Sequence, residues 1–279
     1  MQILHTKSEV RGSVAGARAE GKTVGLVPTM GALHDGHRAL IKASVGECDF
    51  TVVSIFVNPT QFGPHEDLDK YPRDLERDAA TCQAAGVDLV FVPSVEEMYD
   101  EAASTTVQVA RLTEGLCGAY RPAHFAGVTT VCCKLFNLVQ PDRAYFGEKD
   151  YQQLVVIRQM VRDLDLPLDI VGVPTVREPD GLAMSSRNRY LSEQERRAAP
   201  ALREALQQGA QAARAGASGL EVERVVAAAL AAEPLFTPQY ISAVDPETLE
   251  PLEDRGARMV IAAAAVLGRT RLIDNIKVE

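Results

Sequence analysis

The sequence has little of what marks several classes of protein. Its 279 residues contain no run of five or more like charges, and the formal net charge is −9. Duplex nucleic acid is therefore disfavoured as a partner, because neutralising its phosphates requires clustered Lys and Arg. A small anionic ligand is still compatible with the sequence, since a few local cations and backbone N–H groups suffice to bind one.

Cysteines and long apolar runs are scarce as well. The five cysteines form no CxxC pair, so neither a disulfide framework nor a zinc site is predicted, and they are interpreted as small apolar residues. The longest apolar stretch, MVIAAAAVLG at 259–268, is too short to cross a bilayer. The N-terminal residues lack the apolar core of a signal peptide. We therefore expect a cytoplasmic protein without membrane contact.

The first two-thirds of the sequence alternates short apolar runs with helical stretches. Strands are predicted at 23–28, 49–58, 87–93, 142–147 and 168–176, and helices at 37–48, 71–86, 127–141 and 151–165. This alternation, with strands apolar on both faces, favours an α/β fold with a Rossmann-like parallel sheet and helices on both faces. Ligands of such sheets bind at the carboxyl ends of the strands.

The pattern changes near residue 177. A turn-rich segment leads into an Ala-rich helical region at 193–232, and three further strands are predicted at 237–245, 258–268 and 270–278. We expect two domains. The first, at 1–176, would bind nucleotide and substrate, and a smaller C-terminal α+β domain at 177–279 would close over the active site.

The turn PTMGALHDGH, at 28–37, combines two histidines with the start of a predicted helix. His34 and His37 are three residues apart and can face the same side of that helix. Free N–H groups at a helix N-terminus favour phosphate, and imidazoles can donate to phosphate oxygens. An HxGH pattern alone does not decide between this role and two surface histidines on a turn.

Three more loops follow predicted strands and carry similar chemistry. In FVNPTQF (56–62), the Asn58 and Gln61 amides could bind a small polar substrate or simply complete an Asn-Pro turn. In FGEKDYQQL (146–154), Lys149 could hold phosphate, or the turn could be a solvated charged one. In GLAMSSRNRYL (181–191), two serines and an arginine could clamp phosphate or cap a helix.

Taken together and in order, PTMGALHDGH, VVSIFVNPTQF, YFGEKDYQQL and VPTVREPDGLAMSSRNRYLS resemble the pantoate–β-alanine ligases, and the resemblance continues to LIDNI at 272–276. HDGH is similar to the HxGH signature of the nucleotidyltransferase superfamily, and MSSRN to its triphosphate-gripping loop. The resemblance implies ATP-dependent condensation of pantoate with β-alanine through pantoyl adenylate. The products would be pantothenate (vitamin B5, a precursor of coenzyme A), AMP and pyrophosphate. It also implies a homodimer, and Mg²⁺ bound through the nucleotide phosphates.

The same resemblance assigns the site residues. The catalytic residues would be His34, His37 and Lys149, with His37 marked by the family as a proton donor. Here we expect His37 mainly to stabilise phosphate charge. Pantoate would bind Gln61 and Gln153, and β-alanine would bind Gln61 and Asn58. The ATP site would comprise Met30, Gly31, Ala32, Leu33, His34, Asp35, Gly36, His37, Gly147, Glu148, Lys149, Asp150, Val176, Met184, Ser185, Ser186 and Arg187.

Two departures from the family pattern are visible. Asp35 stands where Glu is usual, and Ala126 stands where Arg is often found. For the second reason Arg121 and His124 are kept outside the assigned site. The segment 65–74 resembles the flexible flap of the family, with Tyr71 near the mouth of the pocket.

Three alternative functions are weighed against this one. Another HxGH adenylyl- or cytidylyltransferase would need an extra basic pocket in place of the amide-lined FVNPTQ turn. A catalytically silent nucleotide-binding protein would tolerate the loss of His37 or Lys149, yet both residues are present. A tRNA synthetase is disfavoured by the acidic charge balance and the lack of an anticodon-binding module.

Overall fold

Two sheets organise the computed structural model, which describes residues 1–64, 66–254 and 258–279. Within these ranges, six strands pair in parallel in the order β1-β4-β3-β2-β5-β6, and three pair antiparallel in the order β7-β8-β9. The predicted fold class is confirmed. The strands are β1 (Gln2–Leu4), β2 (Val24–Thr29), β3 (Phe50–Ile55), β4 (Leu89–Phe91), β5 (Arg143–Gly147), β6 (Asp169–Val173), β7 (Phe236–Val244), β8 (Met259–Leu267) and β9 (Thr270–Val278).

Helices connect these strands, and single turns of 3-10 helix lie at 59–61, 148–150 and 186–190. None of the helices in the described ranges is long and apolar enough to cross a membrane. The helices are α1 (Lys7–Ala19), α2 (Asp35–Glu47), α3 (Leu75–Ala84), α4 (Val95–Met98), α5 (Leu116–Tyr120), α6 (His124–Val139), α7 (Tyr151–Asp163), α8 (Glu193–Ala198), α9 (Ala201–Arg214) and α10 (Gly219–Ala231).

The central strands of the parallel sheet, β2 to β5, are buried on both faces, as their apolar runs predict. Consecutive strand residues point to opposite faces. Leu26 packs in a core with Val10 of α1 and Leu135 of α6, whereas the next residue, Val27, packs with Ile41 of α2 on the other face. Helices therefore cover the sheet from both sides.

The antiparallel sheet also has two packed faces. Ile261 of β8 lies in a core with Leu206 of α9 and Val226 of α10. The neighbouring residue Val260 lies on the opposite face and packs with Val155 of α7. The small sheet is thus joined to the parallel sheet through α7. The domain boundary expected at 176/177 remains a prediction.

The strand order defines where a ligand can enter. From β2 the chain proceeds to β3 and β4 on one side, then returns to place β5 on the other side of β2. The loops that leave β2 and β5 therefore diverge, which opens a crevice at their carboxyl ends. PTMGALHDGH starts in the last two residues of β2, and FGEKD starts in the last two residues of β5. Both predicted phosphate loops consequently border the same crevice.

Candidate active site

The imidazoles of His34 and His37 lie side by side at the start of α2, with their ring planes inclined by 40°. Their ring centroids are 4.2 Å apart. His34 is the N-cap residue, and its Nδ1 accepts from the backbone N of Gly36 at 3.1 Å. Nδ1 of His37 accepts from the backbone N of His34 at 3.4 Å. Both Nδ1 atoms are therefore acceptors, so in the neutral rings the proton lies on Nε2, which is left to donate.

Both histidines are held neutral by their surroundings. Burial lowers the pKa of His34 to about 4, and the positive charge of Lys149 adds to this effect. Burial lowers the pKa of His37 to about 3, with a further contribution from His34. Neutral Nε2–H donors, rather than imidazolium ions, are thus what the free protein offers to a ligand.

Gly36 permits this arrangement because the His34 ring lies against it. A Cβ at position 36 would come within 2.8 Å of Cε1 and 2.9 Å of Nδ1 of His34. Real Cβ contacts are not that short, so any other residue would push the ring away from its cap. The glycine of the HxGH pattern is therefore a steric requirement of the imidazole pair.

Asp78 of α3 fixes the loop that precedes the histidines. This carboxylate is 1% exposed, and it accepts from Ala32 N and from Leu33 N, both at 2.8 Å. Ala32 has φ +51°, a left-handed conformation that a non-glycine residue seldom adopts without support. Asp78 is not among the residues that the sequence predicted for the site. An acid at a buried position of a predicted helix was the available signal.

Lys149 lies on the 3-10 turn between β5 and α7. Its Nζ is 3.8 Å from Oδ1 of Asp150, a loose pairing, and its side chain is 19% exposed. Its charge contributes to the lowered pKa values of both His34 and His37, so the three groups lie within electrostatic reach of one another. An ammonium with only a loose carboxylate partner is suited to bind an incoming anion.

Gln61 lies on the 3-10 turn after β3, and its backbone and its side-chain amide are both held in place. Its carbonyl accepts from Arg121 Nη2 at 3.1 Å and from His124 Nδ1 at 2.9 Å. Asn58 donates to Gln61 Oε1 at 2.9 Å and to Gly127 O at 3.2 Å. With Oε1 occupied, the Nε2 donor of Gln61 is left for a ligand. Arg121 and His124 thus support the backbone of this turn.

The loop after β6 brings the predicted phosphate clamp to the crevice. The backbone N of Met184 bonds to Val176 O at 3.0 Å, and Ser185 Oγ accepts from Arg187 N at 3.3 Å, which caps the turn at 186–190. Arg187 donates twice to Asp67, at 2.8 and 3.0 Å. Burial would raise the pKa of Asp67, but the bonds from Arg187 outweigh it and hold that pKa below its usual value.

The predicted flap packs against this loop. Tyr71 of the flap is 5% exposed, and its hydroxyl lies 3.4 Å from Ser186 Oγ. Glu66 accepts from Arg121 at 2.5 and 2.6 Å. His65, the first residue of the predicted flap, lies outside the described residues. In this structure two carboxylates of the flap therefore form ion pairs with two arginines that line the crevice.

These elements enclose a cavity of about 230 Å³. Fourteen of the predicted site residues line it: Met30, His34, Gly36, His37, Gln61, Gly147, Lys149, Asp150, Gln153, Val176, Met184, Ser185, Ser186 and Arg187. A larger cavity of about 590 Å³ adjoins it and shares Lys149, Gln153 and Arg187 as wall residues.

Six predicted residues do not line the smaller cavity: Gly31, Ala32, Leu33, Asp35, Glu148 and Asn58. Asn58 is 1% exposed and lies behind Gln61. Asp35 points outward and pairs with Arg38 at 3.1 Å. Glu148 pairs with Lys277 at 2.7 Å. These side chains are therefore not placed to contact a ligand in the smaller cavity. The backbone of 31–33 nevertheless supports the imidazole pair.

The whole chain matches a known family. Residues 2–277 match the family model described as pantoate–β-alanine ligase. The chain belongs to the pantoate–β-alanine ligase family. Pantothenate synthetase of Moorella thermoacetica is 54% identical over 280 residues, which cover 100% of this chain and 99% of that protein.

Solved structures of pantoate–β-alanine ligases agree with this assignment. Pantothenate synthetase from Thermus thermophilus superposes with a TM-score of 0.94 at 53% identity, covering 99% of each chain. The ligase from Francisella tularensis, complexed with beta-gamma ATP and β-alanine, gives a TM-score of 0.83 at 33% identity, covering 99% of this chain and 97% of that one. The protein is accordingly an enzyme, a ligase of pantoate and β-alanine, as the sequence resemblance implied.

Proposed function

We propose that the enzyme condenses pantoate with β-alanine in two steps, at the expense of ATP, through pantoyl adenylate. The products would be pantothenate, AMP and pyrophosphate. The observation that carries this proposal is the convergence on one cavity of two neutral imidazoles, Lys149 and Arg187 with the amide of Gln61. The Francisella relative, complexed with beta-gamma ATP and β-alanine, supports the choice of ATP and β-alanine as substrates.

ATP would bind on the side of the cavity that carries the hydrogen-bond donors and positive charges for its phosphates. Nε2–H of His34 and His37 would donate to phosphate oxygens, and Lys149 and Arg187 would supply positive charge. Ser185 and Ser186 would add hydroxyl donors. Val176 and Met184 would contact the base, with Gly147 and Asp150 toward the nucleoside. Backbone amides near Met30 would complete the site.

Pantoate would bind between Gln61 and Gln153, whose amides suit a hydroxy acid. For β-alanine, Gln61 remains the proposed contact. Asn58 is proposed to position Gln61, because its amide is already bonded to Gln61 Oε1. A direct contact between Asn58 and β-alanine, as the sequence resemblance implied, would require that bond to break.

In the first step, a carboxylate oxygen of pantoate attacks the α-phosphorus of ATP. The bond from that phosphorus to the bridging oxygen breaks, and pyrophosphate leaves with the electron pair. Negative charge grows on the phosphate oxygens, and fixed donors that already point at them stabilise it without reorganisation. His37 would act here as a hydrogen-bond donor through Nε2, since burial in the free protein lowers its pKa to about 3 and leaves the ring neutral before ATP binds.

In the second step, the amine of β-alanine attacks the acyl carbon of pantoyl adenylate. The C–N bond forms, the bond to the phosphate oxygen breaks, and AMP leaves while the amine loses its proton. Adenylation is needed because a free carboxylate is a poor electrophile. The enzyme contributes mainly by holding both reactants in one small cavity.

Mg²⁺ is proposed to enter with the nucleotide. Across 1–64, 66–254 and 258–279, no group of three or more His, Cys, Asp or Glu side chains forms a cage for an ion. The carboxylate of Asp150 lines the smaller cavity, and it could accept hydrogen bonds from the water shell of a phosphate-bound ion. Such an ion would neutralise charge on the triphosphate.

The decisive experiment is ATP–pyrophosphate exchange in the absence of β-alanine. Incorporation of labelled pyrophosphate into ATP should require pantoate, because exchange reports reversible formation of pantoyl adenylate. Exchange without pantoate, or no exchange with it, would exclude this mechanism.

The site assignment is tested by His37→Ala and Lys149→Ala. Each should lower pantoate-dependent exchange by two orders of magnitude or more, about 3 kcal/mol of transition-state stabilisation. His5→Ala and Lys22→Ala, at exposed positions outside the cavity, are the matched controls and should leave exchange unchanged. Near-normal exchange in either active-site variant would remove that residue from the mechanism.

A further inference from the structure

Strand β9 reaches across to the turn that carries Lys149. Nδ2 of Asn275 donates to Glu148 O at 2.9 Å and to Lys149 O at 3.0 Å. Asn275 is 8% exposed. Because a primary amide has two N–H donors, this one side chain bonds to both consecutive carbonyls of the turn.

Neighbouring residues of β9 make different contacts. Lys277 lies on the same face of the strand, two positions on, and its exposed Nζ is 2.7 Å from Oε1 of the half-buried Glu148, a contact between side chains only. Asp274 accepts from both Nη atoms of Arg177, at 2.7 and 2.9 Å. Of these three residues, Asn275 is the one that bonds to the backbone of the catalytic turn.

The turn has little support of its own. It is a single 3-10 turn at 148–150, and in the described part of the chain neither Gly147 before it nor Asp150 before α7 provides a side-chain cap. Its direction depends on what holds it from outside. The Lys149 side chain projects from this turn into the wall shared by both cavities.

We propose that Asn275 is a positioning residue for Lys149, and that it thereby holds the catalytic turn in place from β9. By holding the carbonyls of residues 148 and 149, Asn275 fixes the direction from which the Lys149 ammonium enters the cavity. This inference rests on the proposed role of Lys149 toward the ATP phosphates. Displacements of about 1 Å in such groups can cost about 100-fold in rate.

The test is a double-mutant cycle on pantoate-dependent ATP–pyrophosphate exchange. Asn275→Ala should lower the exchange rate by about 10- to 100-fold. In a Lys149→Ala background the same substitution should lower it further by no more than about twofold, because the residue acts through Lys149. An equal loss in both backgrounds would overturn the proposal, since a purely structural effect is independent of Lys149.

Two more variants test whether the effect is specific to the amide of Asn275. Lys277→Met removes the neighbouring contact with the same turn and should leave the rate within about twofold of the original. Asn275→Asp keeps the shape but turns an acceptor oxygen toward the two carbonyls, so it should match or exceed the loss in Asn275→Ala. Each variant is checked for one cooperative unfolding transition. Unfolded Asn275 variants would assign the residue to stability alone and overturn the proposal.

Failure of the proposed function can be distinguished from failure of the positioning role. If the unsubstituted enzyme shows no pantoate-dependent exchange, the cycle is repeated with the affinity for α,β-methylene ATP, measured by calorimetry. Asn275→Ala should then weaken binding in the Lys149 protein and not in the Lys149→Ala protein. Equal weakening in both would refute the positioning role whatever the reaction is.

Discussion

The imidazoles of His34 and His37 keep their charge state through the protein that surrounds them. Their pKa values of about 4 and about 3 lie below the ordinary value of about 6.5. We expect imidazole nitrogen resonances in the free enzyme to report the neutral Nε2–H tautomer from pH 8 down to pH 5. In denaturant the same histidines should titrate near 6.5, and titration near 6.5 in the folded enzyme would contradict the assignment.

The sign of the linked stability change follows from the same shifts. The unfolded chain binds protons at these positions below about pH 6.5, whereas the folded chain does not until about pH 4. The free energy of unfolding should therefore fall as pH drops through that window. Adenylation should be lost only as the pH approaches about 4, where the folded His34 ring takes up a proton and can no longer accept from the amide of Gly36.

Asp78 is expected to support catalysis from outside the cavity. Asp78→Asn replaces one of two acceptor oxygens with a donor, which leaves one buried N–H unsatisfied and costs about 1–3 kcal/mol of stability. The loop at 31–33 should shift, and exchange should fall about 10-fold or more. Asp74→Ala, which removes the N-cap of the same helix, should cost about 1 kcal/mol and leave exchange unchanged. Equal effects on rate would reduce Asp78 to a general stabilising residue.

At this scale, sequence patterns predict residues whose chemistry is local and miss those whose partners are distant. His34, His37, Lys149 and Gln153 follow strands and carry reactive groups, and all four line the cavity. Asp78, by contrast, bonds to amides 45 and 46 positions away. Its partners are backbone atoms, so no side-chain pattern in the sequence marks the interaction.

Among the elements, the flap of residues 66–74 would compete with the nucleotide for Arg187 in the proposed reaction. Asp67 accepts from two nitrogens of that guanidinium, while the proposed reaction needs Arg187 on the triphosphate. Asp67→Asn keeps the shape and removes the charge, so ATP should bind about three- to tenfold more tightly, corresponding to about 1 kcal/mol. The Kd for α,β-methylene ATP measures this. Asp69→Asn, at another position of the same flap, should leave that Kd unchanged, and weaker binding in Asp67→Asn would refute the competition.

Element boundaries depend on neighbours that the sequence does not display. The run at 168–176 leaves the sheet after Val173, because β6 pairs with β5 and β5 ends at Gly147, opposite Val173. Strand β1 has three residues, too few for a periodic pattern, yet it pairs with β4. The helix predicted at 71–86 begins at Leu75, where Asp74 caps it, so Tyr71 belongs to the flap.

For the whole molecule, the parallel sheet could be predicted from strand composition, but its strand order could not. Pairing β2 with both β3 and β5 is what brings the HxGH loop beside the Lys149 turn. Alternation of strands and helices is compatible with several orders. The choice depends on pairing between residues far apart in sequence, such as Leu26 with Ala144.

The site draws on both sheets, so ligand binding should stabilise them together. His37 and Lys149 follow strands of the parallel sheet, while Asn275 lies on β9 of the antiparallel sheet and bonds to the Lys149 turn. A ligand at 100 times its Kd adds about 2.7 kcal/mol to the free energy of unfolding, which for a chain of this length raises Tm by about 5 °C. We expect calorimetry to show a single transition, and α,β-methylene ATP with pantoate to raise its Tm by about 5 °C. Two transitions, with only one of them raised, would mean that the two sheets unfold independently and that β9 does not share in the site.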